Sequence, residues 1–479
     1  MVSLELIDIQ GNILRGYNPV RGRHVFFTVE DVDKAREFLA KLADGVQNAK
    51  KWKHGAKPPV AVNVALTYRG LEALEVDGDM LRELPDEFIE PVRRRAKKAL
   101  GDDVVNWWSD PYRQEADRQH ILLLIYELPQ DGVAAQTDTP YAELAAAAPG
   151  DKLAAVADPL VAEALASGLD EVHTEYVEAV KDQREHFGFA DGYGQPAVEG
   201  APGPKVAGQG VPHAEHALWT DLKAGEFIHG YPDEDGFVVS NEAAPLLRNG
   251  SFMVYRKLEQ DVDEFNRLLD DEAVRYKAWT SASEDFDMTR ELVAAKLVGR
   301  WRDGVAIELK ARRDDKPAAE IAQGAATPRS NNFRYAHDPD GYRCPIGAHV
   351  RRTNPRDEDG HGGVIAKRHR IIRRSMPYGP PYAKDDHEER GLIFICFNAS
   401  IKRQFETVQS QWCMDGNAFG LGSDQDWLLS TGKGTKKATI QGAPPYFADA
   451  SKRIVTPRGC QYLLMPGIGA LRAIAAGLW

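Results

Sequence analysis

The strongest constraint on the fold is a local pattern that occurs four times: an apolar strand followed closely by a stretch whose apolar residues recur at helical spacing. Two such units in each half are what a duplicated ferredoxin-like fold produces. We therefore predict an α+β protein made of two ferredoxin-like (split βαβ) domains with antiparallel sheets. The predicted strands are His24–Val29, Val60–Thr67, Ser251–Arg256 and Gly391–Phe397, and the helical stretches after them are Val32–Leu42, Arg69–Leu74, Gln260–Leu269 and Ile401–Trp412.

The length and the local composition predict where the two domains divide. A chain of 479 residues is too long for one small core, and 43% hydrophobic with 28% charged residues is typical of a globular protein. The stretch Thr139–Ala179 is rich in alanine and predicted to be helical, and Gly200–Pro204 is a loop. We expect an N-terminal domain over residues 1–215, with the alanine-rich stretch as a helical insertion, and a C-terminal domain over 216–479.

The charge and the cysteines exclude several classes of protein. A net charge of -12 leaves no broad basic surface for nucleic acid. None of the four cysteines belongs to a C-x-x-C pair, so a zinc site of that kind, covalent haem attachment and a disulfide framework are all unsupported. We recognise no signal peptide, no twin-arginine signal and no membrane span. The expected location is the cytoplasm, and the oligomeric state stays open.

One histidine lies in a short predicted helix that is followed by cations. Pro345 suits a first helical position, and Asn354-Pro355 is a stop signal. A neutral imidazole on a short rigid helix is a suitable ligand for iron or zinc, and the cations beside His349 can take the carboxylates of a bound cofactor. The alternative interpretation is a surface histidine on a basic helix end.

A second candidate is the aspartate in Phe187–Pro196. Asp191 lies between glycines and aromatic residues, where burial raises the pKa of a carboxyl group and a nearby cation lowers it. Such a carboxylate can act as a general base. The alternative is a turn aspartate that caps its own backbone.

The third candidate is the basic segment Arg368–Gly379, which alternates like a strand. Alternation sends Arg370 and Arg374 one way and Arg373 the other, so one of Arg373 and Arg374 points inward and needs an anionic partner. A solvated basic strand or an anion-binding patch is the alternative.

These three stretches and several others, in this order, resemble the dye-decolourising peroxidases. The resemblance runs from about residue 8 to about residue 467 and is nearer to the large members of the family than to the compact ones. The matching stretches are Asp8–Gly16, Gly188–Gly192, Glu226–Glu234, Leu297–Trp301, Cys344–Arg356 and Arg373–Gly379.

The resemblance implies roles for the three candidates. His349 is similar to the proximal ligand of a b-type haem iron, one haem per chain, bound between or beside the two ferredoxin-like domains. Asp191 matches the distal aspartate, and Arg373 matches the distal arginine. Asp426 is the expected carboxylate partner of the histidine, with Asp415 and Asp424 as alternatives.

Four further residues match haem-pocket positions of the family. Arg356 is similar to an arginine placed near a haem propionate. Leu392 and Phe394 match the apolar pair that covers the distal pocket. Ser375 stands where some members have asparagine, so its hydrogen-bonding role stays open.

The implied activity is that of a haem peroxidase, which reduces hydrogen peroxide and oxidises phenolic or dye-like reductants through a ferryl intermediate. The alternatives are a haem carrier or iron-release protein without peroxidase turnover, and a structural protein without cofactor. Bulky dyes cannot enter such a pocket, so surface aromatic residues can pass electrons outward. The sequence alone assigns none of the candidates, which are Trp107, Trp108, Trp279, Trp412 and Trp427.

Overall fold

Helices and strands alternate along most of the chain. The computed structural model describes residues 3–53, 56–102, 105–129, 151–180, 183–203, 206–212, 219–281, 285–312, 331–358, 365–384, 386–432 and 437–479. The helices are α1 Gly11–Leu14, α2 Val32–Gly45, α3 Tyr68–Ala73, α4 Gly78–Arg82, α5 Asp86–Ile89, α6 Val92–Ala99, α7 Asp110–Arg113, α8 Asp151–Ala166, α9 Ala244–Leu247, α10 Val262–Thr280, α11 Phe286–Val298, α12 His349–Thr353, the π-type α13 (Lys402–Glu406 and Val408–Cys413) and α14 Ile468–Ala475. The strands are β1 Arg21–Val29, β2 Val60–Leu66, β3 Ile121–Glu127, β4 Leu169–Glu178, β5 Val211–Pro212, β6 Trp219–Thr220, β7 Ser251–Gln260, β8 Ile372–Arg373, β9 Met376–Tyr378, β10 Gly391–Asn398, β11 Lys437–Ile440, β12 Tyr446–Asp449 and β13 Val455–Met465.

The N-terminal half forms a ferredoxin-like unit. Its chain order is β1–α2–β2–β3–α8–β4, and its four strands lie side by side in the order β4-β1-β3-β2, all antiparallel. Every residue of β3 is buried, because this strand lies in the middle of the sheet with both faces covered.

The C-terminal half repeats that arrangement. Strands β13, β7 and β10 lie side by side, and the short strands β8 and β9 both pair with the outer edge of β10. The two halves join through β2 and β13, where Leu66 pairs with Leu464, and the result is one antiparallel sheet. The predicted duplicated ferredoxin-like fold is confirmed.

The prediction for Thr139–Ala179 is wrong in part. Residues 139–150 lie outside the described ones, α8 ends at Ala166, and Leu169–Glu178 is the edge strand β4. Gly168 makes the break: its φ is +70° and a Cβ there would lie 2.4 Å from the Cβ of Asp31. Helix α8 is therefore the second crossover helix of the N-terminal unit and not an insertion. Helix α3, which we predicted as the helical partner of β2, is not a crossover helix.

Three other expectations concern the whole chain. The expected domain boundary near residue 215 lies outside the described residues. All four cysteines are buried free thiols. In the described ranges, no helix combines the length and the apolar character that crossing a membrane requires.

Gly391 offers a test of the packing that positions β10. A Cβ at this residue would lie 1.9 Å from the carbonyl oxygen of Leu258 on β7, so the two strands would have to separate. We expect Gly391→Ala to lower the free energy of unfolding by about 1–3 kcal/mol in a denaturant titration followed by circular dichroism. Gly45→Ala is the control, because a Cβ at the end of α2 meets nothing within 4 Å. Equal unfolding midpoints for both variants would contradict the strand contact.

Candidate active site

The loop after β4 is organised by a half-buried glutamate. The backbone N–H groups of Phe187 and Phe189 each donate to the carboxylate of Glu185 at 2.8 Å. Gly192 follows Asp191 with a φ of +84°, a conformation that favours glycine. The hydrogen bonds to Glu185 and the conformation of Gly192 therefore hold Asp191 in a tight turn.

An ion pair joins this loop to the other half of the chain. Nη1 of Arg373 donates to Oδ1 of Asp191 at 3.0 Å, and Nη2 donates to the carbonyl oxygen of Tyr193 at 3.1 Å. The backbone N–H of Arg373 also donates to the side chain of Gln195 at 3.0 Å. Of the two arginines in question, Arg373 is thus the one with the anionic partner.

Arg374 points in a different direction. Its Nε and Nη2 donate to the carbonyl oxygens of Asn12 and Ile13 at 3.0 and 3.1 Å. This arginine therefore fastens the N-terminal segment to β8 and takes no part in the pair with Asp191.

His349 is the first residue of α12, so the helix begins there and not at Pro345 as predicted. Nδ1 of His349 lies 2.9 Å from Oδ2 of Asp426, which is fully buried. An ionised carboxylate only accepts, so Nδ1 carries the hydrogen and the lone pair of Nε2 stays available for a metal ion. Burial lowers the pKa of His349, but the charge of Asp426 and this hydrogen bond outweigh it and raise the pKa.

The structure also decides between the three candidate carboxylates. Asp426 pairs with His349, and its Oδ1 accepts the backbone N–H of Leu428 at 3.0 Å. Asp424 instead binds Lys437 at 2.8 Å, and Asp415 accepts the N–H of Asn417. The sequence-based choice of Asp426 is confirmed.

Asp191, Arg373 and His349 share one electrostatic environment. Burial raises the pKa of Asp191, but the charge of Arg373, hydrogen bonds from the Gly192 N–H and Arg373, and the charge of His349 outweigh it, and the pKa is lowered. The side chains of Asp191 and Arg373 are each 31% exposed and that of His349 is 29% exposed. The three groups are thus partly accessible and close enough to influence one another.

The cations directly after His349 do not serve a cofactor. Arg351 and Arg352 are fully buried, and Arg351 binds Glu358 at 2.9 Å. Arg352 donates to the carbonyl oxygens of Gly347, Trp412 and Asp424 at 2.8–3.0 Å. The expectation that these cations receive a cofactor's carboxylates is wrong, because their donors already hold α12 in place.

Arg356 and Arg370 are also buried, and neither has a carboxylate partner in the described part of the chain. Arg356 donates from Nη1 to three carbonyl oxygens and stacks on Phe333 at 3.9 Å, while its buried Nε has no partner. Arg370 is 8% exposed, and within the described ranges its guanidinium makes no hydrogen bond or ion pair. Burial, together with the charges of Arg356 and Arg373, lowers the pKa of Arg370 to about 9.

The sequence did not single out Arg370, which lies near enough to Arg356 and Arg373 for their charges to act on it. Simple alternation put it on the side opposite Arg373, and it directly follows a 3₁₀ turn over Ala366–His369. Its signal in the sequence was present: three arginines within five positions, without an acidic residue among them, suggest that an anion binds there.

Leu392 and Phe394 lie on the same strand face as Arg373. Arg373 pairs with Cys396, and side chains two and four residues along β10 point the same way. Both apolar side chains are half-buried. The hydroxyl of Ser375 accepts the backbone N–H of Ile395 at 3.3 Å, so it closes the gap between β8 and β9.

These donors fit an iron porphyrin with two carboxylates. An imidazole nitrogen is available on one side, an acid–base pair lies in the same environment, and half-buried apolar side chains line the strand beside them. Buried guanidinium groups without counter-ions are unfavourable unless an anion binds there. Arg356 and Arg370 are two such groups, and the two carboxylates of the cofactor would supply the anions that they lack.

Two family models match the chain. Residues 8–139 match the model of the DyP dimeric alpha+beta barrel domain, and residues 230–421 match that of the C-terminal part of Dyp-type peroxidases.

Individual relatives match along almost the whole chain. The dye-decolorizing peroxidase msp1 of Mycetinis scorodonius is 29% identical over 98% of this chain and 88% of its own. The multifunctional dye peroxidase DyP2 of Amycolatopsis is 28% identical over 98% and 96%. A solved dye-decolorizing peroxidase in complex with 2,6-dimethoxyphenol superposes with a TM-score of 0.79, at 28% identity over 98% of this chain and all of that one.

The pKa of Asp191 gives a direct test of the pair. We expect its carboxyl to titrate below the usual value of about 3.9, so it stays ionised as the pH falls until this lowered pKa is reached. In Arg373→Leu, burial then dominates, and the pKa should rise above that value. The measurement is the carboxylate infrared band that Asp191→Asn removes. Arg374→Leu is the control and should leave the pKa lowered; an unchanged pKa in Arg373→Leu would refute the pairing.

Proposed function

Since this chain belongs to the DyP-type peroxidase family and is a haem peroxidase that oxidises dyes and phenols, we propose which of its residues perform each part of that activity. His349, Asp191 and Arg373 form the catalytic set, and hydrogen peroxide is the oxidant. The observation that carries the proposal is the Asp191–Arg373 pair in the same environment as the imidazole of His349, whose Nδ1 is held by Asp426.

The cofactor is one haem b per chain. Nε2 of His349 would bind its iron, and Arg356 and Arg370 would bind its two carboxylates. Leu392 and Phe394 would cover the side next to Arg373. When bound, haem supplies the iron at which peroxide is reduced by two electrons. The available Nε2 lone pair and the two arginines without counter-ions support these assignments.

Asp191 and Arg373 carry out the proton and charge chemistry of peroxide cleavage. The ionised carboxylate of Asp191 accepts a proton from one peroxide oxygen and transfers it to the other. Negative charge develops on the departing oxygen, and the fixed guanidinium of Arg373 stabilises it. Because the pKa of Asp191 is lowered, the carboxylate is available as a proton acceptor in acidic solution.

Asp426 would tune the imidazole of His349 as an iron ligand. A carboxylate that accepts the Nδ1 hydrogen makes the imidazole more electron-donating and fixes the direction of Nε2. Asp426 is itself held by the N–H groups of Leu428 and Leu429, so the imidazole has little freedom to rotate.

The alternative of a haem carrier or iron-release protein needs His349 but not the distal pair. A protein that only retains haem does not need an ion pair of arginine and aspartate, here at 3.0 Å with both side chains about one-third exposed.

We also propose that the chain divides near residue 215 into the two ferredoxin-like units, residues 1–215 and 216–479. A cytoplasmic location stays a prediction.

Removing the axial imidazole tests the cofactor assignment. We expect His349→Ala to lose the strong near-ultraviolet haem absorption band of the purified protein, because no other donor replaces Nε2. Asp426→Asn should keep the band and weaken haem affinity about 10–100-fold, measured by titration of the apoprotein with haem. A normal absorption band in His349→Ala would refute the ligand assignment.

The distal assignment is tested by the reaction with peroxide. We expect Arg373→Leu to slow the peroxide-induced spectral change by about 10²–10³-fold in stopped-flow mixing, since one charge-stabilising donor is lost. Arg374→Leu is the matched control and should react within a few-fold of wild type. If Arg374→Leu is slow and Arg373→Leu is not, the assignment of the two arginines is wrong.

A further inference from the structure

We propose that Glu185 is a positioning residue for Asp191: its carboxylate holds the loop that carries Asp191, and its negative charge, which opposes the positive charge of Arg373, sets how readily Asp191 accepts the peroxide proton. This inference rests on the proposed function, in which Asp191 is the proton acceptor. Glu185 precedes Asp191 on the same loop, and in this role it does not itself take the peroxide proton.

The carboxylate of Glu185 fills the inside of the loop and connects it to the sheet. Oε2 accepts the backbone N–H of Phe187, and Oε1 accepts that of Phe189, both at 2.8 Å. The side-chain amide of Gln260, the last residue of β7, donates to Oε2 at 2.5 Å. The loop of the first half and a strand of the second half therefore meet on this one side chain.

Backbone hydrogen bonds connect the position of Glu185 to that of Asp191. The N–H of Glu185 donates to the carbonyl oxygen of Phe189 at 3.0 Å, and the N–H of Asp191 donates to that of Gln183 at 2.9 Å. The residues around Glu185 thus pair with those that end at Asp191. A displacement of the Glu185 carboxylate therefore also displaces Asp191 from Arg373.

The groups that bond to Glu185 fit an ionised carboxylate. Among the described residues, all three groups that bond to its oxygens donate a hydrogen, and a protonated carboxyl would present a hydrogen of its own among these donors. Hydrogen bonds to the charged form of a carboxyl group favour that form. Glu185 therefore places a negative charge inside the loop.

The charges of Glu185 and Asp191 act on each other. Burial raises the pKa of Glu185, its three hydrogen bonds oppose this effect, and the charge of Asp191 raises the pKa again. Repulsion is mutual, so the charge of Glu185 disfavours the ionised form of Asp191, whereas the charge of Arg373 favours it and prevails. Glu185 thereby makes Asp191 a better proton acceptor than the arginine alone would allow.

The other charged groups around the loop have partners of their own. Arg302 binds Glu291 at 2.9 Å, and Arg184 donates to the carbonyl oxygen of Gly188 at 2.7 Å. Burial lowers the pKa of His186, so this side chain is neutral near pH 7. Near the end of β7, the ion pairs are Arg390–Asp386 and Arg458–Glu259. Asp191 is the charged group that acts most strongly on Glu185.

The first test measures the reaction of the haem-loaded enzyme with peroxide. Glu185→Gln removes the charge and keeps the size, whereas Glu185→Asp keeps the charge but is too short to reach both backbone N–H groups. We expect each variant to slow the stopped-flow reaction about ten-fold at neutral pH, a part of what a well-placed proton acceptor contributes. Glu178→Gln, at an exposed carboxylate at the end of β4, is the matched control and should react like wild type.

The pKa of Asp191 separates this role from general support of the fold. In the infrared titration, Glu185→Gln should lower the pKa of Asp191 further, because a repelling charge is gone, and the acid limb of the peroxide reaction should move to lower pH. In Glu185→Asp, which keeps the charge, that pKa should not fall. Loss of the contact with Arg373 alone would raise it, so an unchanged or raised pKa in Glu185→Gln would overturn the inference.

The inference and the proposed function fail in different ways. If wild type does not react with peroxide, the proposed function fails, and the infrared titration still tests the effect of Glu185 on Asp191. If wild type reacts and Glu185→Gln reacts equally fast, this inference fails. Should the Glu185 variants not fold, Gln260→Leu, which removes one donor and leaves the carboxylate, should slow the peroxide reaction; a wild-type rate in this variant would contradict the connection to β7.

Discussion

The site depends on the ion pair between Asp191 and Arg373, because it joins side chains from the two halves of the chain. Asp191 comes from the loop after the last strand of the first ferredoxin-like unit, and Arg373 comes from an edge strand of the second. Removing one partner leaves the other charge without its counter-ion in a partly buried position, which is unfavourable. Both groups are therefore needed together, and each keeps the other charged and oriented.

The other arginines of the site divide into two kinds that look alike in the sequence. Arg351 and Arg352 are completely buried and saturated by carboxylates and backbone carbonyl oxygens, so they hold the histidine helix rigid. Arg356 and Arg370 are buried without a carboxylate partner in the described residues. The positive charges of Arg356 and Arg370 are unfavourable in the protein alone and become favourable when an anionic cofactor binds.

Much of the fold was predictable because periodicity reports which side of an element is buried. The strands around Val64, Val254 and Ile395 were all recognised by their apolar runs. The edge strand Leu169–Glu178 was mistaken for helix, because an exposed edge strand lacks such a run and the alanine-rich helix before it ends at Ala166, only three residues earlier. Local composition cannot show where an edge strand pairs.

For the site, the sequence by itself determined the types of residue and their order: a histidine on a short helix, an aspartate between glycines, and an arginine in an extended segment. Which of Arg373 and Arg374 faces Asp191, and which of three nearby carboxylates reaches His349, was decided only by tertiary structure. The reason is physical. Residue spacing along the chain specifies which way side chains point within one helix or strand. These partners lie on separate elements, whose relative position depends on the packing of the whole sheet.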